Sequence, residues 1–242
     1  MISILEEKQG EYKVIVEQQE IGFIKTYKND FHKANCYLKL ELKKYDVEFA
    51  KTLFVLLQDK VKCPLQVMIA STEREKVAFL EQGGFRCKRK CYELEVTAEQ
   101  LQGVDNKLPE CVEEIVKCKM GTNEYDLCAR FMFEYYARMH ENINPLTADY
   151  EMFATRLPED VFYKKDTNGI FHVAFIEENE IAYVGTRNSV EFKSFIENVI
   201  RKLFEEYEKV VFECDDCDEA AMELRKLFAY DVDESYDTYI MR

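Results

Sequence analysis

The feature that most constrains this chain is that much of it is written twice. "KVIVEQQEIGFI" at 13–24 echoes "HVAFIEENEIAYV" at 172–184, with Glu17 opposite Glu177, Glu20 opposite Glu180, Ile21 opposite Ile181 and Phe23 opposite Tyr183. Each copy alternates around a polar turn, the pattern of a hairpin. "VEF" at 47–49 returns at 190–192, and each time it opens an amphipathic run, "VEFAKTLFVLLQDKV" and "VEFKSFIENVIRKLFEEYE". Short apolar runs follow, "PLQVMIAS" and "KVVFEC", then second helical patterns, "TEREKVAFLEQ" and "DEAAMELRKLF", and closing strands, "CYELEV" and "SYDTYI". The offset is 160 at the hairpins (177 − 17), 143 at "VEF" (190 − 47) and 144 at Tyr92 and Tyr236 (236 − 92). The larger first offset fits an extra strand in the first copy, within "KNDFHKANCYLKLELKK".

The copies are unequal. Ahead of its hairpin the second copy adds a candidate strand, "CVEEIVKCK", a strong helix, "TNEYDLCARFMFEYYARMHE", with Thr122 or Asn123 as N-cap, and a short helix, "ADYEMFATRL". "VFYKKDTNGIFHVAF" then places an Asn168-Gly169 turn between two strand runs. The polar stretch 97–110, with Gly103 and Pro109, reads as a linker. The expected organisation is a mixed α/β (α+β) tandem, with a truncated domain over 1–104 and a complete one over 105–242. Each is a mostly antiparallel sheet flanked by helices. Residues 111–242 are expected to hold a core of their own, and the first copy to lean on a partner.

Composition excludes several classes. A net charge of −14 leaves no basic surface for nucleic acid, and "CKRKC" at 87–91 is only a local exception. No segment approaches a membrane span and no export signal is visible, so a cytoplasmic protein is expected. Nine cysteines then read as small core residues. Cys214 and Cys217 have metal-ligand spacing, but no second pair closes a tetrahedral site, so no metal is expected. The acidic balance favours cationic partners such as amines or polyamines.

Strand, two helices, three antiparallel strands, helix, strand, helix, strand is the element order of the GNAT N-acetyltransferase superfamily, and the second copy resembles it in full. "AFLEQGGF" at 78–85 is similar to the family segment in which a helix ends at Gly-Phe before the next strand. The resemblance implies acetyl transfer from acetyl-CoA to an amine. The family motif Gln/Arg-x-x-Gly-x-Gly/Ala, whose glycines bring backbone N–H groups to the cofactor pyrophosphate, falls on Tyr45, Glu48 and Ala50 in one copy and on Asn188, Glu191 and Lys193 in the other. Only Ala50 fits. The family's thiolate-protonating tyrosine falls on Leu80 and on Arg225, neither of which is an oxygen acid.

A cofactor site, if kept, is therefore expected at Val184, Gly185, Thr186, Arg187, Asn188, Ser189, Glu191 and Phe192. There Gly185 permits close approach, Arg187 offers a cation, and Asn188 and Ser189 offer donors. Glu191 is expected to obstruct the pyrophosphate in two ways, by filling its space and by satisfying the N–H donors of the helix start itself. A catalytic base is expected from Glu180 or Glu213, with His140 and His172 also available. The alternative reading is a non-catalytic tandem that acts as a binding or regulatory module.

Overall fold

The computed structural model describes residues 1–102, 115–230 and 234–242. The expected domain boundary at 104/105, Pro109 and the start of "CVEEIVKCK" lie outside the described residues. In chain order the strands of the first copy are β1 (Ile2–Lys8), β2 (Glu11–Val16), β3 (Gln19–Tyr27), β4 (Cys36–Leu42), β5 (Leu65–Ala70) and β6 (Arg86–Val96). Its helices are α1 (Val47–Val61) and α2 (Arg74–Gln82). The second copy has β7 (Val116–Lys119), α3 (Asn123–His140), α4 (Tyr150–Ala154), β8 (Asp160–Asp166), β9 (Gly169–Glu177), β10 (Glu180–Thr186), α5 (Ser189–Glu206), β11 (Val210–Asp215), α6 (Glu219–Arg225) and β12 (Tyr236–Met241). Among the described residues no helix is long and apolar enough to cross a membrane.

Pairing corrects the repeat by one strand. β4 runs parallel to β5 as β10 runs parallel to β11, so β4, and not β3, is the counterpart of β10. The offset between them is 144 (180 − 36), the same as at the tyrosines. The matched "EEN" and "EQQ" turns misled because both hairpins turn through left-handed residues: Glu17 and Gln18 at φ 49° and 67°, and Glu178 at 53°. A turn of that geometry selects similar short polar sequences wherever it occurs.

Contacts divide the chain into two units that do not follow the repeat. One holds Met1–Lys90, Glu141–Ala148 and Glu234–Arg242; the other holds Cys91–His140 and Asp149–Asp233. The closing strands are thus exchanged. β12 pairs antiparallel with β5, from Tyr236↔Ala70 to Met241↔Leu65. The second half of β6 pairs antiparallel with β11, from Val96↔Val210 to Cys91↔Asp215. The first copy is expected to lean on a partner, and the first unit takes in the segment 141–148, which meets it at the start of β4. There Asn35 donates to Gln66 Oε1 (2.9 Å) and to the Ile143 carbonyl (3.1 Å), and Asn144 donates to the Tyr37 hydroxyl (3.3 Å).

The apolar stripes of α1 and α2 close one face of the first unit's sheet. Phe54, Phe79 and Phe85 are fully buried, with ring centroids 5.3 Å apart for Phe54–Phe79 and 4.8 Å for Phe54–Phe85. This explains the two glycines after α2. A Cβ at Gly83 would stand 2.4 Å from Phe54 Cδ2, and Gly84 has φ +102°. One glycine makes room and the other makes the turn that drops Phe85 into the core.

In the second unit alternate residues of β10 separate two layers. Gly185 and Tyr183 face α3 and α4, since Gly185 lies against Phe131 and Tyr135 and Tyr183 against Tyr136 and Phe153. Thr186 points the other way, to His172, which packs on Phe192 and Phe195 of α5. Thr122 caps α3 by accepting from the Tyr125 N–H (3.2 Å).

Candidate functional site

The parallel pairs give each unit a split sheet. β10 and β11 are in register only at Glu180↔Val211 and Ile181↔Phe212, and β4 and β5 only at Cys36↔Leu65 and Tyr37↔Gln66. Beyond those pairs the strands part. From Ala182 to Thr186, β10 keeps β9 on one side and has no ladder partner toward β11. Such an edge can accept an extended ligand by backbone hydrogen bonds.

The expected cofactor residues do come together here, but most are already engaged. Val184 is buried. Gly185 has its close approach taken by protein: a Cβ there would meet Phe131 Cε1 at 3.1 Å, and Tyr135 Cγ and Val173 Cγ2 at 3.3 Å. The Thr186 hydroxyl donates to the Asn188 carbonyl and accepts from the Asn188 N–H, both at 3.0 Å. With its one proton so used, it must accept from His172 Nδ1 at 2.9 Å, which fixes that tautomer and gives His172 a structural role. Asn188 is the N-cap of α5 and accepts from the Val190 N–H at 3.1 Å. Ser189 begins the helix, and Phe192 is fully buried on its inner face.

Glu191 is exposed on the first turn, and the cap that satisfies the helix N-terminus comes from Asn188. The expectation that Glu191 occupies the donors is thus corrected. In the first unit the equivalent cap is a carboxylate, with Asp46 accepting from the Glu48 N–H at 3.0 Å. That negative charge opposes a phosphate at α1. Leu80 is fully buried, and Arg225 lies over the Tyr92 ring at 3.8 Å.

Sequence reasoning missed the pair that spans the split. Tyr135 rises from α3 past Gly185 and donates its hydroxyl to Asp218 Oδ1 at 2.6 Å; Asp218 caps α6 by accepting from the Ala220 and Ala221 N–H groups at 2.9 and 3.2 Å. Burial raises both pKa values. The Asp218 carboxylate pushes Tyr135 further up, while the hydrogen bonds it receives pull Asp218 part of the way back. The aspartate reads from sequence as an N-cap only; its second partner is 83 residues away. Beside this bridge a cavity of about 60 Å³ is lined by Phe131, Glu134, Tyr135, Arg138, Thr186 and Arg187. Arg187 lies over Phe131 and Arg138 over Tyr135, so two cations border it.

On the α3/α4 face the base candidates meet. Glu213 stands opposite Glu93 in the β11–β6 ladder and accepts a weak S–H bond from Cys91 (3.8 Å). The residue reaches solvent, yet enough protein surrounds its carboxyl to raise its pKa, and the carboxylates of Glu93, Asp215 and Glu180 add to the rise. Glu180 itself is exposed at the start of β10. Tyr183 joins them: burial raises its hydroxyl pKa, Arg156 opposes, and Glu213 and Glu180 reinforce. His140 is buried and stacks on Tyr136 at 4.0 Å, away from any role as base. Among the described residues no group of acids, histidines and cysteines has the arrangement of a metal site, and Cys214 Sγ contacts Met222 Sδ at 3.4 Å.

The fit to acetyl-CoA is divided. The open edge of β10 suits a pantetheine arm, and Arg138 and Arg187 suit phosphates. The gap beside that edge is crossed by Tyr135, and the remaining cavity falls well short of the ~300 Å³ of a small-ligand pocket.

No family model matches the chain, and no curated protein matches it in sequence. Solved structures do match in shape. A GCN5-related N-acetyltransferase from Sphaerobacter thermophilus superposes with TM-score 0.52 at 14% identity, over 98% of this chain and 81% of that one. A conserved protein of unknown function from Enterococcus faecalis V583, described as a probable N-acyltransferase, gives 0.50 at 11% identity, over 95% of this chain and 61% of that one. This chain has the fold of the GNAT N-acetyltransferase superfamily, a mixed α/β fold built on mostly antiparallel sheets.

Proposed function

We propose that this chain is a GNAT-fold N-acyltransferase that moves an acetyl group from acetyl-CoA to an amine in its second unit. The observation that supports this most is the β10 edge from Ala182 to Thr186, left without a ladder partner where β11 turns away. Acetyl-CoA would supply the activated acyl thioester, with Arg138 and Arg187 toward its phosphates. Glu213 is the group to take a proton from the bound ammonium so that the free amine can attack the thioester carbonyl, because a carboxylate with a raised pKa is a better base near neutrality. Glu93 and Glu180 give that face a negative field that draws a cationic amine or polyamine.

The test is thermal unfolding of the whole chain with acetyl-CoA, followed by release of free CoA thiol with a panel of amines. A ligand at about 100 times its dissociation constant adds about 2.7 kcal/mol. No stabilisation at millimolar acetyl-CoA would overturn the reading. A second reading, a non-catalytic GNAT-fold tandem that binds or regulates, is favoured by the Tyr135–Asp218 bridge across the gap. It predicts no acetyl-CoA effect until Tyr135 is cut back.

A further inference from the structure

The first unit holds a pair of thiols that the proposed chemistry does not use. Cys63 lies in the connection between α1 and β5 and is partly exposed; Cys36 opens β4 and is buried. Their backbones are stitched together. The Cys36 N–H donates to the Pro64 carbonyl at 2.8 Å, and Cys36 pairs in the parallel ladder with Leu65. Lys62, in the left-handed region at φ 55°, turns the chain out of α1 so that Cys63 reaches this junction. Lys28 fixes its outer side: the ammonium donates to Cys63 Sγ at 3.3 Å and to the carbonyls of Lys33 and Asn35 at 3.0 and 3.1 Å.

We propose that Cys63 and Cys36 are a peroxide-responsive dithiol site, in which Cys63 is oxidised first and Cys36 then closes on it to form a reversible disulfide. The division of labour follows exposure and contact. The backbone pairing brings Cys36 beside the segment that carries Cys63; burial holds the Cys36 thiol up at about 11, with Cys63 adding to the rise, so Cys36 keeps its proton until an oxidised sulfur is beside it. Cys63 has the solvent access that a peroxide needs, and a cation beside its sulfur balances the negative charge that the reacting thiolate carries.

In the first step the Cys63 thiolate attacks one peroxide oxygen. An S–O bond forms, the O–O bond breaks and hydroxide leaves; the sulfur is oxidised to a sulfenic acid and the peroxide is reduced. In the second, the Cys36 sulfur attacks the sulfenic sulfur. An S–S bond forms, the S–O bond breaks, and the leaving hydroxide takes the Cys36 proton away as water. The product ties the first residue of β4 to the residue two before β5, at the paired end of the split.

The experiment treats the full chain with hydrogen peroxide, blocks remaining thiols with an alkylating agent and maps disulfides by mass spectrometry without reduction. Exposed Cys87 and Cys217 serve as internal references. The expected result is a Cys36–Cys63 peptide pair as the dominant product, lost on treatment with dithiothreitol. Cys36→Ser should instead accumulate a Cys63 sulfenic acid that dimedone traps, and Lys28→Met should slow Cys63 oxidation several-fold relative to Cys87. Oxidation of Cys63 no faster than Cys87 and Cys217, or its capture by any other residue, would overturn the proposal. The map of the unmutated chain decides the pairing whether or not a variant folds.

Discussion

Tyr135→Phe isolates the hydrogen bond that bridges the split sheet. The ring stays, so the packing against Gly185 is kept; the 2.6 Å bond to Asp218 is lost, and with it the longer 3.3 Å bond from the Ala220 N–H, a donor that Asp218 also accepts from. Asp218 still accepts from the Ala220 and Ala221 N–H groups, so no carboxylate is stranded and the cost stays near that of one charge-assisted bond, about 1.5–2 kcal/mol. For a chain of this size that is roughly 3–8 °C in Tm. Asp218→Asn is the partner experiment. A carboxyl whose folded pKa is raised contributes stability that is fully present below its unfolded pKa and lost as pH rises through the folded one. At pH 7 the buried charge is therefore a cost that asparagine removes, while its Oδ1 still caps α6 and still accepts from Tyr135. Urea unfolding at pH 7 should show Tyr135→Phe destabilised and Asp218→Asn equal to or above the parent, an advantage that vanishes toward pH 4. Tyr135→Phe at parental stability would mean that the hydroxyl bridges nothing. Asp218→Asn losing more than about 1 kcal/mol at pH 7 would mean that the charge itself holds α6.

Gly185→Ala should cost about 1–2 kcal/mol by urea unfolding, since the new methyl overpacks Phe131, Tyr135 and Val173 while gaining some chain entropy; a stabilised variant would show that α3 yields freely. Gly83→Ala should cost more, at least about 2 kcal/mol, because its Cβ would sit 2.4 Å from a fully buried Phe54 ring; a neutral result would contradict the packing assigned to that corner. Glu213→Gln should lower any acetyl transfer by roughly 10²–10⁴ and flatten the acid limb of its pH profile, with unchanged binding of acetyl-CoA; an unaltered profile would remove Glu213 as base. A 105–242 fragment should unfold without the cooperativity of the full chain, because β11 loses residues 91–96 and β12 loses β5; a sharp, concentration-independent transition in circular dichroism would refute that.

The element order was legible because each helix carries its own stripe and each turn its own chemistry. "VEFAKTLFVLLQDKV" spells α1 from its first residue to its last. Asp166 accepting from the Asn168 N–H at 2.6 Å, with Gly169 at φ +111°, is the expected Asn-Gly turn in atoms. What periodicity cannot encode is the partner of a strand. Arg86–Val96 and Tyr236–Met241 alternate equally well against any edge of similar length, and nothing local says that each crosses to the other copy. The one-strand slip between the hairpins has the same origin, since local turn chemistry is blind to which neighbour is parallel.

The site was legible only where backbone decides it. The strand-to-helix turn within 184–192 was legible because glycine and a cap residue mark the place where a strand ends and a helix begins. Its occupancy could not be read, since it is set by Tyr135, an aromatic at a helical spacing that looks like ordinary core. A tyrosine there can do what a phenylalanine cannot: its ring fills the space over Gly185 while its hydroxyl satisfies Asp218 across the gap. The bridge therefore ties two questions to one side chain. If Tyr135→Ala lets acetyl-CoA stabilise a chain that it otherwise ignores, the split is an acyl-CoA cleft that the protein itself has closed. If acetyl-CoA stabilises the parent already, Tyr135 must swing out of the gap to admit it. If neither chain responds, the unpaired edge of β10 is only the geometry of the fold, and acyl transfer falls with it.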